Sequence, residues 1–441
     1  MISLDPLLIA IILFASTFVL LFTGLPVSFS LGGMSIILVI LFMGWDKLSI
    51  ITGASFSLIT QLSLVAVPLF IFMADILRGS GLAEELFVAV RRIFGGIPGG
   101  LAIGTTLICT VMAAMSGVAA AGILTMGILA LPILLQLKYN KTIAIGTIMA
   151  GGSLGILIPP SVSFVVYGAL ARVSIGRLFA GGLIPGFILA FLYMTYIGIR
   201  CYFQPELGPA LPPEERVGWK EKITGLRGIV LPVVVVITIL GSIFLGIASP
   251  TEASAVGVVG VIACAAIHRS LSWQLILDSM VSTIKVTGML GWILIGGFCF
   301  RYLFIYTGGV DVVGGLITRL EIPPLLIITM MQLVYMVLGC FMEEITIMFV
   351  SFPVFLPVVA NLGFDPVWFG VLFLINLQVA YLTPPFGYSL FYMRSVAPSS
   401  ITIMDIYRSI LPFIPIQIGV LALVMFFPQL ALWLPKLMIG V

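Results

Sequence analysis

Gly151-Gly152-Ser153-Leu154-Gly155-Ile156-Leu157-Ile158-Pro159-Pro160-Ser161 interrupts an apolar run that is otherwise long enough to cross a bilayer. Two successive prolines remove two backbone donors, and each forces the residue before it out of helical geometry. A second stretch repeats the device: Asn376-Leu377-Gln378-Val379-Ala380-Tyr381-Leu382-Thr383-Pro384-Pro385-Phe386-Gly387-Tyr388-Ser389. A helix broken at membrane depth leaves backbone groups unpaired, which hydrocarbon does not tolerate unless the break is buried in protein or lines a cavity. The two breaks therefore predict an all-α polytopic membrane protein with an internal polar site.

Composition agrees. Apolar residues make up 61% of the 441 positions and charged residues 8%, where soluble domains carry about 25% charge. Twenty Lys and Arg with seventeen Asp and Glu are too few for a water-facing skin. The net charge of +3 gives no reason to expect nucleic acid. Cys109, Cys201, Cys264, Cys299 and Cys340 are scattered without a Cys-x-x-Cys pair and read as small core residues. The single histidine, His268, stands beside Arg269 at the end of a span. The segment from Met1 to Phe22 lacks a basic n-region and reads as a retained first span.

On a ruler of about 20 residues per crossing, ten crossings fall at 5–23, 27–44, 63–78, 142–168, 178–203, 228–247, 250–267, 284–306, 367–394 and 408–434. The regions 101–137 and 322–358 are too long for one crossing and are interrupted at Ser116-Gly117 and at Gly339 through Glu344. Both are expected to be re-entrant hairpins. The excess of Lys and Arg in cytoplasmic loops places Arg78, Arg91, Arg92, Lys138, Lys141, Arg200, Arg216, Lys220, Lys222, Arg227 and Arg269 inside, with both termini outside. Arg172 and Arg177 fall on the outer side against this trend.

The halves 1–203 and 228–441, joined by a polar linker at 204–227, share one layout. Each has three crossings, a hairpin and two further crossings, inverted in the second half. Gly24 and Gly246 differ by 222 positions, Ser116 and Gly339 by 223, Pro159 and Pro384 by 225. Inverted repeats with paired discontinuous helices point to a secondary transporter whose site lies at the repeat interface.

The residues assign roles at that site. Carbonyl oxygens at the end of a half-helix suit Na⁺, and the helix restarting after the prolines turns its positive end toward an anion. Candidate Na⁺ positions are Ser116, Gly117, Gly152, Gly155 and Pro159 in the first half, and Gly339, Glu343, Thr346, Thr383 and Gly387 in the second. Ser161, Asn376, Gln378 and Ser389 are the candidates for substrate. Glu343 and Glu344 are adjacent and face different directions, so at most one of them is expected to line the site. Ser249-Pro250-Thr251-Glu252 reads instead as a capping box with proline at the first helical position. Lys285, Arg301, Asp311 and Arg394 lie near span ends, where snorkelling accounts for them. Neither a phosphate-binding loop nor a His-Glu-x-x-His zinc motif is present, which leaves a membrane enzyme or passive channel as a remote alternative.

Over essentially its whole length the chain resembles the large membrane (M) subunit of tripartite ATP-independent periplasmic (TRAP) transporters, of the dicarboxylate-permease type. The resemblance is carried by Thr23-Gly24-Leu25-Pro26-Val27, Ser116-Gly117, Leu154 through Ser161, Ser249 through Ala253 and Thr383-Pro384-Pro385-Phe386-Gly387. Two departures stand out: Val118 follows Ser-Gly where the family has a small polar residue, and Glu343-Glu344 stands where it often has one Asp. The resemblance implies an elevator-type, Na⁺-driven importer of organic acids in the bacterial inner membrane, with no cofactor beyond the coupling ion. It also implies two partners, a small four-helix membrane subunit and a periplasmic substrate-binding protein. The ending from Asn376 to Tyr407 leans toward 2-oxo acids, lactate-like monocarboxylates or aromatic acids. A partner-independent transporter or exchanger of the same fold is the alternative.

Overall fold

In the computed structural model the chain is described at residues 5–216, 218, 227–318, 322–384 and 387–438. Lys220 and Lys222 of the linker, and Pro385 of the second break, lie outside the described residues. Every regular element among the described residues is helical. Helices α1 (Pro6–Phe22) and α2 (Val27–Met43) come first, followed by α3 (Leu48–Ile59), α4 (Ala66–Gly79) and α5 (Leu82–Phe94). The first hairpin is α6 (Gly100–Ser116) and α7 (Ala119–Gln136), and the first broken helix is α8 (Lys141–Ser153) and α9 (Val162–Ala171). Helix α10 (Ile175–Phe203) closes the first half. The second half runs α11 (Arg227–Phe244), α12 (Pro250–Ile267), α13 (Trp273–Tyr306) and α14 (Gly309–Thr318). Its hairpin is α15 (Pro324–Gly339) and α16 (Glu344–Asn361), and its broken helix is α17 (Pro366–Leu382) and α18 (Tyr388–Val396). Helices α19 (Ile403–Ile410), α20 (Ile414–Phe426) and α21 (Gln429–Leu437) end the chain.

Among the described residues, seven helical segments are long and apolar enough to cross a membrane, and shorter apolar helices of 10–17 residues accompany them. Both broken helices form the centre. Every residue from 143 to 168 and from 367 to 382 is buried, as expected of helices apolar on all sides. Around them pack the two hairpins, α10, α19 and α20. Helices α1–α4 and α11–α13 make an outer group whose members mainly contact one another. Small residues permit its tightest crossing, where a Cβ on Gly32 of α2 would lie 3.0 Å from the Cα of Gly296 in α13.

Several expected boundaries change. The span expected at 284–306 begins at Trp273, so α13 is about 51 Å long at 1.5 Å per residue and projects beyond a hydrocarbon layer. The span expected at 408–434 is interrupted: α19 and α20 form one apolar stretch from Ile403 to Phe426. Pro428 then separates off α21, which packs on α10. Helices α3, α5 and α14 are additions. The amphipathic α5 carries Glu84, Glu85, Arg91 and Arg92 on its polar positions.

The described part of the linker is tied down. Gly99 N–H donates to the Gly208 carbonyl at 2.7 Å, Asn140 N–H to Leu207 at 2.9 Å, and Leu211 N–H to Gly95 at 2.8 Å. Arg91 pairs with Glu215 at 2.6 Å. Ser249 and Glu252 form the expected capping box behind Pro250, and His268 pairs with Glu85 at 2.8 Å. The five cysteines are free thiols, four buried and Cys340 partly exposed. Arg301 and Arg394 do more than snorkel: Arg301 donates to the Leu170 carbonyl of the first half at 3.2 Å, and the exposed Arg394 donates to the Ile401 carbonyl at 2.6 Å.

Candidate functional site

At the first break the chain uses backbone and glycine. After α8 a single 3₁₀ turn covers Leu154–Ile156, the Pro159–Pro160 peptide is cis, and α9 restarts at Val162. Ser161 spans the gap, its Oγ donating to the Ile156 carbonyl at 2.7 Å and accepting from Phe164 N–H at 3.5 Å as the N-cap. The tip of the first hairpin closes on it. Gly117 takes φ +64°, ending α6, and Val118 is extended before α7. Gly117 also accepts Val162 N–H at 3.3 Å.

The approach is so close that side chains are excluded from it. A Cβ on Gly117 would sit 2.5 Å from the Pro160 carbonyl oxygen, and one on Gly155 would sit 2.8 Å from that of Val118. Gly152 meets Ile123 of α7 in the same way. Ser116 Oγ lies 3.5 Å from the Val118 carbonyl. Thus the tip at Ser116-Gly117-Val118 and the start of α7 close on Gly152, Gly155 and Ser161 of the first broken helix.

The second break is richer in polar side chains. Helix α17 ends at Leu382, with Thr383 Oγ1 donating back to the Val379 carbonyl at 2.7 Å. Gly387 is the N-cap of α18, where a Cβ would meet the Tyr381 carbonyl oxygen at 2.3 Å. Gly339, the last residue of α15, packs on Ala380. Glu343 is the N-cap of α16 and accepts from Thr346 Oγ1 at 3.4 Å. Glu344 begins α16 and reaches furthest. Its N–H donates to the Tyr381 hydroxyl at 2.8 Å, and that hydroxyl donates to the Glu344 carboxylate. The other carboxylate oxygen accepts from Ser163 Oγ of α9 at 3.1 Å. The second hairpin is thereby bonded to the first half's broken helix. Tyr167 of α9 adds a bond to the Pro366 carbonyl at 2.8 Å.

The four substrate candidates separate. Ser161 is committed to capping. Asn376 donates to the Gln332 carbonyl at 2.5 Å and to its Oε1 at 2.8 Å, knitting α17 to α15, while its own Oδ1 has no hydrogen-bond partner among the described residues. Gln378 and Ser389, both fully buried, have side-chain polar atoms without a hydrogen-bond partner among the described residues. Buried amides without partners are rare and costly, and the Gln378 amide is left with both its donor and its acceptor unspent. Sequence reasoning passed over Ser163, Tyr381 and Gln332 and favoured Glu343 over Glu344. Ser163 and Tyr381 each lie within three residues of a proline pair, and that proximity was the available signal.

A family profile described as the tripartite ATP-independent periplasmic transporter, DctM component, matches residues 14–430. The C4-dicarboxylate TRAP transporter large permease of Vibrio cholerae is 29% identical, over 97% of this chain and 98% of that one. The ectoine/5-hydroxyectoine TRAP large permease of Ruegeria pomeroyi is 31% identical, over 96% of this chain and 98% of that one. Among solved structures, the YdaH transporter of Alcanivorax borkumensis superposes with a TM-score of 0.65 at 15% identity, over 89% of this chain and 91% of that chain. At that identity the likeness speaks for the fold.

Proposed function

This chain belongs to the DctM component family of tripartite ATP-independent periplasmic transporters, and we propose that it imports a small organic acid together with Na⁺. It is a transporter permease in the membrane, and in this reading it works with two partners. A periplasmic binding protein delivers the substrate, and a small four-helix subunit stands beside it in the inner membrane with both termini of this chain facing the periplasm.

The observation that carries the reading is the pairing of each hairpin tip with a proline break. Hard oxygen donors suit Na⁺. In the first half these are Ser116 Oγ and carbonyls near Val118; in the second they are Thr383, Thr346 and the Glu343 carboxylate. Gln378 and Ser389 offer the polar groups for the acid. The two assemblies are read as inverted repeats, supported by the near-constant sequence offset and by reciprocal packing. Helix α9 packs on α16 of the other half, as α18 packs on α7. An elevator motion of the hairpin and broken-helix group against α1–α4 and α11–α13 supplies alternating access. Relatives that carry C4-dicarboxylates and ectoine favour a small polar substrate, of which a dicarboxylate or a 2-oxo or hydroxy monocarboxylate fits the donors best.

The test is uptake of radiolabelled succinate, lactate and pyruvate into proteoliposomes holding the chain with its own small subunit and binding protein. Uptake is expected only with an inward Na⁺ gradient. Equal uptake in Na⁺-free buffer under a proton gradient overturns the Na⁺ coupling, and uptake by this chain alone overturns the partners.

A further inference from the structure

Glu344 touches three elements at once. It starts α16 at the tip of the second hairpin, bonds twice to Tyr381 in the last turn of α17, and accepts from Ser163 in the first turn of α9. Ser163 is 1% exposed and Tyr381 3%, so these bonds form where water competes little. None of the ion pairs among the described residues includes Glu343 or Glu344. Hydroxyl donors and the N-terminal end of α16 therefore hold the carboxylate in place. Nothing covalent ties the tip to the first half, and the chain between Gly339 and Glu344 is non-helical.

We propose that Glu344 is a positioning residue that latches the tip of the second hairpin onto the helix following the first break. Parting that tip from the centre requires breaking the Ser163–Glu344 bond. The state of one hairpin is thereby transmitted to the broken helix of the other half. The inference rests on reading the two breaks as paired half-sites, but its test needs neither substrate nor Na⁺.

The chain carries its own reporter. Cys340 sits in the hairpin tip, partly exposed, its Sγ donating to the Met336 carbonyl at 3.3 Å, whereas the other four thiols are buried. The experiment follows N-ethylmaleimide alkylation of Cys340 in the full chain assembled with its partners, with Cys340→Ser defining background. Ser163→Ala is expected to speed alkylation about tenfold, the factor carried by one lost hydrogen bond to a charged group, and Glu344→Ala, which also loses the bond from Tyr381, to speed it further. Ser163→Thr, which keeps the hydroxyl, stays near the wild-type rate. The double variant Ser163→Ala/Glu344→Ala is no faster than Glu344→Ala alone, because the serine bond is already lost with the carboxylate.

A wild-type rate in Ser163→Ala overturns the latch, and so does a double variant whose effect is the product of the two singles. Thermal melting of each variant verifies that it is folded. Absence of Na⁺-driven uptake by the wild-type assembly, with the alkylation pattern as expected, would instead count against the transport reading alone.

Discussion

The two breaks solve one problem with different chemistry. Each interrupts a buried helix with prolines and meets a hairpin tip. Around the first, glycine lies against backbone, and the Ser161 hydroxyl is consumed in capping. Around the second, Glu343, Glu344, Tyr381 and Thr346 make a polar network, with Asn376 and Gln332 behind it. Close packing against backbone is rigid, since a displaced atom loses many contacts at once. A hydrogen-bonded network is exchangeable, because each net bond contributes only about 1 kcal/mol and is readily replaced. From that difference we expect the first break to be the more rigid of the two.

The largest effect should come from filling the glycine seam. Gly155→Val brings a branched side chain where even a Cβ lies 2.8 Å from the Val118 carbonyl oxygen, and that oxygen belongs to the backbone. Gly117→Ala adds a clash with Pro160 to a positive φ. Each is expected to destabilise the chain by about 3 kcal/mol or more, read as loss of monodisperse protein and a lowered melting temperature. Wild-type melting in both variants would remove the contrast between the halves.

An intermediate effect is expected from Tyr381→Phe. It leaves ring packing against Tyr388 in place, where the centroids are 5.4 Å apart, and removes one hydroxyl that both accepts from Glu344 N–H and donates to its carboxylate. The cost should be about 2 kcal/mol, appearing as a lowered melting temperature together with faster alkylation of Cys340. A glycine-seam variant of the first half that still folds should speed that alkylation only where it shifts α9 and so parts Ser163 from Glu344; Gly152→Ala, whose Cβ meets Ile123 of α7, should leave it unchanged.

Much of this arrangement is legible in the sequence because proline and glycine act locally. Pro159-Pro160 restricts the backbone, Gly117 permits a positive φ and the Ser249 capping box closes hydrogen bonds within four residues, so their consequences can be written down without distant neighbours. The roles of Glu344, Ser163 and Tyr381 could not be, because they depend on which helix of one half faces which tip of the other. Two adjacent carboxylates at a helix start look equivalent in sequence. Only the packing of α16 on α9 directs Glu344 at Ser163 and leaves Glu343 to Thr346. The interruption of 408–434 was missed for a related reason: its apolar run is continuous, and Pro428 ends α20 without any charge to mark the boundary.

The smallest effect on stability, and the sharpest on function, belongs to Gln378. Its amide is fully buried and neither polar atom has a partner among the described residues. An apolar residue of similar volume removes that burden. Gln378→Leu is therefore expected to leave the melting temperature unchanged or to raise it, by no more than about 1 kcal/mol of stability. If the amide instead serves the substrate, the same variant must lose uptake in proteoliposomes while keeping wild-type alkylation of Cys340. Asn376→Leu provides the opposite case. It breaks two hydrogen bonds to Gln332 and should lower stability along with uptake. A Gln378→Leu chain that melts early would place Gln378 with Asn376, as a side chain that holds the second half together rather than one kept free for the acid.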